Sequence, residues 1–201
     1  MQSFLPRVRI EPGEKGVFDP LSMFEKTPAG IWLEIGFGAG EHLAELAEQN
    51  PGNGYLGCEP FINGVASLLA RIDRRKIANV RVFPDDARVL LKVLPVASLD
   101  GCFLLYPDPW PKKRHAKRRF VNAENLDLLA RVLKPGAELL LATDAAALAE
   151  WMRGQIDTHP DFSVVYDENT PPGGWVETRY EKKGARAGRV SRYIVAERRK
   201  E

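Results

Sequence analysis

The chain has 201 residues, 44% hydrophobic and 28% charged, a balance that excludes a disordered or fibrous protein and fits one domain with an ordinary core. The formal net charge is only +2, so the chain as a whole is not a polycation. No apolar run reaches the length of a membrane span, and Cys58 and Cys102, set in apolar runs without metal or redox spacing, read as buried free thiols.

Residues 1–25 carry Arg7, Arg9, Glu11, Glu14 and Lys15 among prolines, which argues against a secretory signal and for a cytoplasmic protein. They are expected to form an N-terminal segment on or near the active-site face of one domain over 26–201. Within that domain, Ile31 to Ile35 reads as a strand that ends in a glycine turn. A helix follows over Glu41 to Gln49, with Leu43, Leu46 and Ala47 on one stripe. Then come a strand at Tyr55 to Cys58, a helix at Ile62 to Ile72, a strand at Val80 to Phe83 and a helix at Ala87 to Val93. Leu99 to Tyr106 is a strand, Glu124 to Leu133 a helix stopped by Lys134-Pro135-Gly136, and Glu138 to Thr143 a strand. Ala145 to Ile156 is a helix, and Phe162 to Val165 and Ser191 to Glu197 are strands. Such alternation predicts a mostly parallel sheet covered on both faces by helices.

Ligands in this architecture sit beyond the carboxyl ends of the strands. Glu34, Glu59, Asp85-Asp86, Asp108 and Asp144 each end a strand, so five strand ends would deliver acids to one rim. The first turn, Gly36-Phe37-Gly38-Ala39-Gly40, departs from a dinucleotide fingerprint, because Glu41 stands where its third glycine would be. An acid there also disfavours a pyrophosphate at the helix start. A nucleoside without phosphates fits better. Glu59 has two acceptor oxygens for ribose hydroxyls, Asp86 followed by Ala87 suits an adenine amino group, and Glu34 suits the cationic end of S-adenosylmethionine.

The most specific stretch is Tyr106-Pro107-Asp108-Pro109-Trp110, followed by Lys112, Lys113, Arg114, Lys117, Arg118 and Arg119. Prolines stiffen the loop that presents a carboxylate and an indole. Residues 112–119 carry +6, and residues 178–201 carry +6 again, which leaves the remainder at −10. Two cationic segments on an acidic body resemble the footprint of a polyanion. The scattered histidines 42, 115 and 159 indicate no metal site.

These motifs resemble, in order, those of the bacterial tRNA (guanine-N7)-methyltransferase family: Leu33 to Gly40, Tyr106 to His115 with Arg118-Arg119-Phe120, Ala142-Thr143-Asp144, and Thr178 to Glu181. The resemblance runs over roughly residues 4 to 196. It implies a class I, Rossmann-like α/β three-layer sandwich, with a seven-stranded, mostly parallel sheet whose last strand is antiparallel. It also implies S-adenosyl-L-methionine as cofactor, S-adenosyl-L-homocysteine as product, tRNA as partner, no membrane or metal, and a monomer. The substrate atom would be N7 of guanine 46 in the variable loop. Cofactor contacts implied by the resemblance fall on Glu34, Gly36, Gly38, Gly40, Glu59, Asp86, Ala87 and Asp108. Asp108 is also the catalytic candidate. Substrate contacts fall on Lys112, Asp144, Thr178, Arg179, Tyr180 and Glu181, and tRNA backbone contacts on Lys113, Arg114, Lys117, Arg118 and Arg119. Glu59-Pro60-Phe61 departs from the valine and histidine that follow the acid in many relatives, and the segment before the fold is short.

From the residues alone, Trp110 either stacks on the base or packs beneath its loop, and Asp144 either meets guanine or caps the next helix. Competing readings are methylation of another RNA or a small acceptor, a non-catalytic RNA-binding subunit, and a nicotinamide-dependent reductase. The glycine spacing disfavours the reductase.

Overall fold

The computed structural model describes residues 5–12 and 18–200. Residues 1–4, 13–17 and 201, and the side chain of Lys113, lie outside the described residues, and with them part of the expected 1–25 segment and the Lys113 contact.

The elements run α1 (Leu5–Val8), a 3-10 turn (Pro20–Met23), β1 (Ile31–Ile35), α2 (Glu41–Gln49), β2 (Gly54–Cys58), α3 (Ile62–Arg75), β3 (Val80–Phe83) and α4 (Ala87–Val93). They continue with β4 (Leu99–Leu105), a 3-10 stretch (Lys113–Arg118), α5 (Ala123–Val132), β5 (Leu133–Thr143), α6 (Ala146–Asp157), β6 (Phe162–Glu168), α7 (Arg179–Arg186) and β7 (Arg192–Arg198). The sheet order is β3-β2-β1-β4-β5-β7-β6. Only β7 runs antiparallel to its neighbours, as expected for the last strand. Strand order reverses between β1 and β4, and that switch opens the crevice where a ligand can enter.

Apolar residues on successive positions bury both faces of the central strands. Ile31, Leu33 and Ile35 of β1 join one core cluster with Leu90, Leu129 and Met152 from α4, α5 and α6. Trp32 packs on the opposite cluster with Leu43 and Leu68 from α2 and α3. The same alternation holds in β5, where Leu139 and Leu141 face one way and Leu140 and Ala142 the other. This two-sided burial is why the strands read as apolar runs.

Besides shifts of one to three residues at several element ends, the fold departs from the sequence reading in β5, β6 and α7. β5 starts at Leu133, directly from α5, because Lys134-Pro135-Gly136 bends the strand and does not separate two elements; Gly136 has φ 82°. β6 extends to Glu168, and as a half-exposed edge strand it carries little apolar periodicity. α7 was read only as a run of contacts, since it buries Gly184 alone and shows no apolar stripe.

The described N-terminal residues lie along the outer edge of β3. Ile10 N–H donates to Val82 O (2.7 Å), and the buried Arg81 guanidinium donates to Met23 O (Nε, 2.9 Å). They thereby cover one unpaired sheet edge.

Candidate active site

A cavity of about 740 Å³ opens beyond the carboxyl ends of β1, β2, β3 and β4. Its wall begins with the β1 turn, where Gly36, Gly38 and Gly40 all have positive φ, between 56° and 74°. A Cβ on Gly40 would meet Leu68 of α3 at 2.7 Å, and one on Gly64 would run into the Gly38 carbonyl oxygen. The turn is therefore moulded against α3, and Gly36, Gly38, Ala39 and Gly64 line the cavity.

Glu59 follows β2 and is buried. Gly38 N–H donates to its Oε2 (2.9 Å) and Phe61 N–H to its Oε1 (3.0 Å). Each oxygen keeps an acceptor site beyond that bond. Across the cavity, Asp86 caps α4 by accepting from Arg88 N–H (2.9 Å), and Ala87 opens that helix. The Arg88 guanidinium also grips Asp86 and holds its carboxyl below the usual range. Phe61, 74% exposed, stands at the mouth beside Glu59.

After β4 the chain turns through two non-glycine residues with positive φ, Tyr106 (51°) and Trp110 (41°), a costly geometry that surrounding structure must hold. Between them Asp108 is exposed and lines the cavity, and its carboxylate has no hydrogen bond or ion pair to the described residues. Tyr106 is pinned by a hydrogen bond between its hydroxyl and Ser191 Oγ (2.8 Å), and burial raises its phenol pKa. The Trp110 ring carries the Arg118 guanidinium 4.7 Å over its centroid and meets His115 edge-on at 5.8 Å, so its loop contacts are cationic and aromatic.

Several expected contacts are placed elsewhere. Glu34, 3% exposed, does not line the cavity and pairs with His42 Nδ1 (2.9 Å) on α2. His42 in turn borders a second cavity of about 520 Å³ beside Trp32, Phe103 and Trp175. Asp144 neither reaches the cavity nor caps α6, whose cap residue is Ala145. It accepts from Arg189 Nε (2.6 Å) and packs against Gly184, fastening α7 to the end of β5. Thr178 and Glu181 form a capping box at the start of α7: Glu181 N–H donates to Thr178 Oγ1 (3.0 Å) and Thr178 N–H to Glu181 Oε2 (3.2 Å). Glu181 also accepts from Trp175 Nε1 (3.0 Å) and the Tyr193 hydroxyl. Of that run only Tyr180 lines the cavity, while Arg179 is exposed.

Lys112, Arg114, Lys117 and Arg118 are exposed, and of these Arg118 lines the cavity. Arg119, expected on tRNA phosphate, also lines the cavity but is only 9% exposed, its guanidinium bonded to the loop carbonyls of Pro109 and Trp110. Sequence reasoning missed Asn63, Gly64, Arg88, Phe120 and Asn125 as cavity residues. Only the close glycine approach leaves a trace in sequence, and a lone helix glycine is a weak one. Both cysteines are buried and free, and burial pushes the Cys58 thiol well up. Among the described residues no group of acids, histidines and cysteines is arranged to hold a metal ion, and no helix is long and apolar enough to cross a membrane.

The site fits a cationic nucleoside cofactor. Three strand ends supply carboxylates to the cavity, and the glycine turn admits close backbone approach. Comparison with known proteins agrees. A family model described as a putative methyltransferase matches residues 28–192. A tRNA (guanine-N(7)-)-methyltransferase of Paramagnetospirillum magneticum is 47% identical over 190 residues, covering 91% of this chain and 79% of the relative. One from Paracoccus denitrificans is 50% identical over 171 residues, covering 84% and 72%. In fold, the 16S rRNA methyltransferase KamB superposes with a TM-score of 0.64 at 16% identity over 86% of this chain and 89% of that one. With its sheet order, its acid-lined crevice and relatives of this identity, the chain belongs to the tRNA (guanine-N7)-methyltransferase family, built on the class I S-adenosylmethionine-dependent fold.

Proposed function

We propose that this chain methylates N7 of a guanine in the tRNA variable loop, position 46 in the family's substrate, acting as a cytoplasmic monomer. The observation that carries the reading is the cavity itself, which joins a nucleoside-sized acidic pocket to a stiff loop holding Asp108 at its mouth. S-adenosylmethionine supplies an electrophilic methyl group on a sulfonium. Glu59 holds the ribose hydroxyls, Asp86 and Ala87 meet the adenine, and Gly36, Gly38 and Gly40 let the backbone approach closely.

Guanine N7 is an acceptor with a free in-plane lone pair, so no residue needs to remove a proton from it. The protein's work is therefore orientation and charge. Asp108 receives the donor edge of guanine and offsets the positive charge that builds on the purine ring. Tyr106, Trp110 and Tyr180 offer ring faces at the same mouth, and the exposed Arg114, Lys117, Arg118 and Arg179 approach the polyanion. The −10 body and the two +6 segments favour this division of labour between pocket and rim.

The test is incubation of the chain with S-adenosylmethionine and an unmodified tRNA transcript, followed by reduction and aniline cleavage. One cut in the variable loop is expected. Methyl incorporation without that cut would move the target atom, and tRNA binding without incorporation would favour an RNA-binding subunit.

A further inference from the structure

We propose that Arg119 is a positioning residue for the Asp108 loop and not a ligand for tRNA phosphate; the catalytic part of this inference rests on the function proposed above. Three prolines, at 107, 109 and 111, take backbone donors out of the loop, which limits the ways it can hold itself. Its carbonyls are instead gripped from below. Arg119 Nε donates to Pro109 O (3.1 Å) and Nη2 donates to Trp110 O (3.2 Å). The planar guanidinium delivers the two bonds from separate nitrogens in a fixed fork, a geometry that the single nitrogen of a lysine lacks.

The clamp is itself anchored. Arg119 N–H donates to Ala116 O (3.0 Å), and its own carbonyl accepts from Asn122 Nδ2 (3.0 Å). The guanidinium lies 4.9 Å over the Trp151 ring of α6, and Trp151 Nε1 donates to Val121 O (2.7 Å). The loop is thus tied through Arg119 to α6. Both arginines line the cavity, but neighbouring Arg118 is exposed over Trp110 whereas Arg119 is buried beneath the loop. Among the described residues none bonds the Asp108 carboxylate, so the loop backbone is what places it. Arg119 fixes that backbone just past Asp108.

The test compares Arg119→Lys and Arg119→Met with the wild-type chain. Turnover at saturating tRNA is expected to fall about 10- to 100-fold in both, since misplacement of about 1 Å can cost that much. The tRNA dissociation constant should stay within about threefold, with an unchanged salt slope, and S-adenosylhomocysteine should bind as in wild type. Amide exchange in the peptide spanning 106–112 should quicken in both variants, a readout that needs no catalysis. Lysine rescue of turnover, with a methionine variant whose salt slope flattens by about 0.7 to 0.9, would make Arg119 a phosphate ligand and overturn the proposal. Unchanged turnover per folded molecule with a lowered unfolding midpoint would reduce it to a stabilising residue. Wild-type chain that makes no aniline-sensitive tRNA, while loop exchange still rises in the variants, would sink the function and keep the clamp.

Discussion

The rings of Tyr106 and Tyr180 lie 18° from parallel with centroids 6.1 Å apart, so a residue at the start of α7 faces the aromatic that follows the fourth strand. Tyr180 also approaches the first turn, where a Cβ added to Gly38 would stand 3.5 Å from its ring. The late segment of the chain therefore contributes one wall of the cavity. Tyr180 is 53% exposed, whereas Tyr106 is anchored through Ser191.

Tyr180→Ala should raise KM for tRNA by about 5- to 100-fold, the range expected for loss of stacking on one base. Tyr180→Phe should keep KM within about threefold, because the ring face and not the hydroxyl is offered to the substrate. Steady-state kinetics with a tRNA transcript check this. Equal KM values for the alanine variant and wild type would remove Tyr180 from the base site.

Asp108→Ala should lower the single-turnover rate about 10²- to 10³-fold, as for other preorganised groups that face developing charge. Asp108→Asn keeps an acceptor but loses the charge, so its rate should fall between alanine and wild type. An asparagine variant as fast as wild type would assign the residue to hydrogen bonding alone.

Most of the architecture was legible because the central strands are buried on both faces and the helices between them carry clear stripes, as in Glu41–Gln49 with Leu43 and Leu46. The acid rim was legible for Glu59, Asp86 and Asp108, which end strands next to the switch point. Glu34 and Asp144 lie off the cavity wall, each for its own reason. A strand-end residue alternates between faces, and one residue's difference turns Glu34 toward His42 on the α2 side. Asp144 was drawn off by Arg189, a partner 45 residues away that no local pattern reveals. Thr178 to Glu181 was read only as substrate contacts; its spacing is that of a capping box, and the helix it opens was missed because α7 has no apolar face.

That capping box yields its own prediction. Thr178→Ala should destabilise α7 by about 0.5–2 kcal/mol, the usual range for a lost N-cap. The effect on catalysis should be indirect, through Tyr180, and Thr178→Ser should restore both. Amide exchange across residues 178–186 reads the helix, and KM for tRNA reads the site. A serine variant with intact α7 protection but poor turnover would instead give the Thr178 methyl group or hydroxyl a direct substrate role.

Glu59→Gln should weaken S-adenosylhomocysteine binding about 10- to 100-fold by calorimetry. The amide replaces one acceptor oxygen with a donor, which then confronts Gly38 N–H or Phe61 N–H, and charge-assisted bonds of this kind contribute about 1.5–3 kcal/mol. Affinity for tRNA alone should be unchanged. A cofactor affinity within twofold of wild type would show that Glu59 only supports the glycine turn.

Acid sensitivity should centre on Asp167, which joins β6, β7 and α6. Arg192 donates to it through Nε (2.6 Å) and Nη2 (2.8 Å), and Arg153 through Nη1 (2.7 Å). Hydrogen bonds from Arg192 first, then Arg153, hold its carboxyl below the usual range against the opposing pull of burial. A lowered folded pKa means that the unfolded chain binds the proton more readily. The stabilisation is therefore complete above the ordinary aspartate value near 4, and is lost as pH falls from there through the folded value. Asp167→Asn should cost about 1–2 kcal/mol near neutral pH, at the lower end for bonds to a charged group because both guanidinium groups are partly exposed to water. Urea unfolding of both proteins at descending pH should bring their stabilities together below about pH 4. A gap that stays constant across that range would mean the asparagine disrupts packing, and that Asp167 ionisation contributes nothing to the fold.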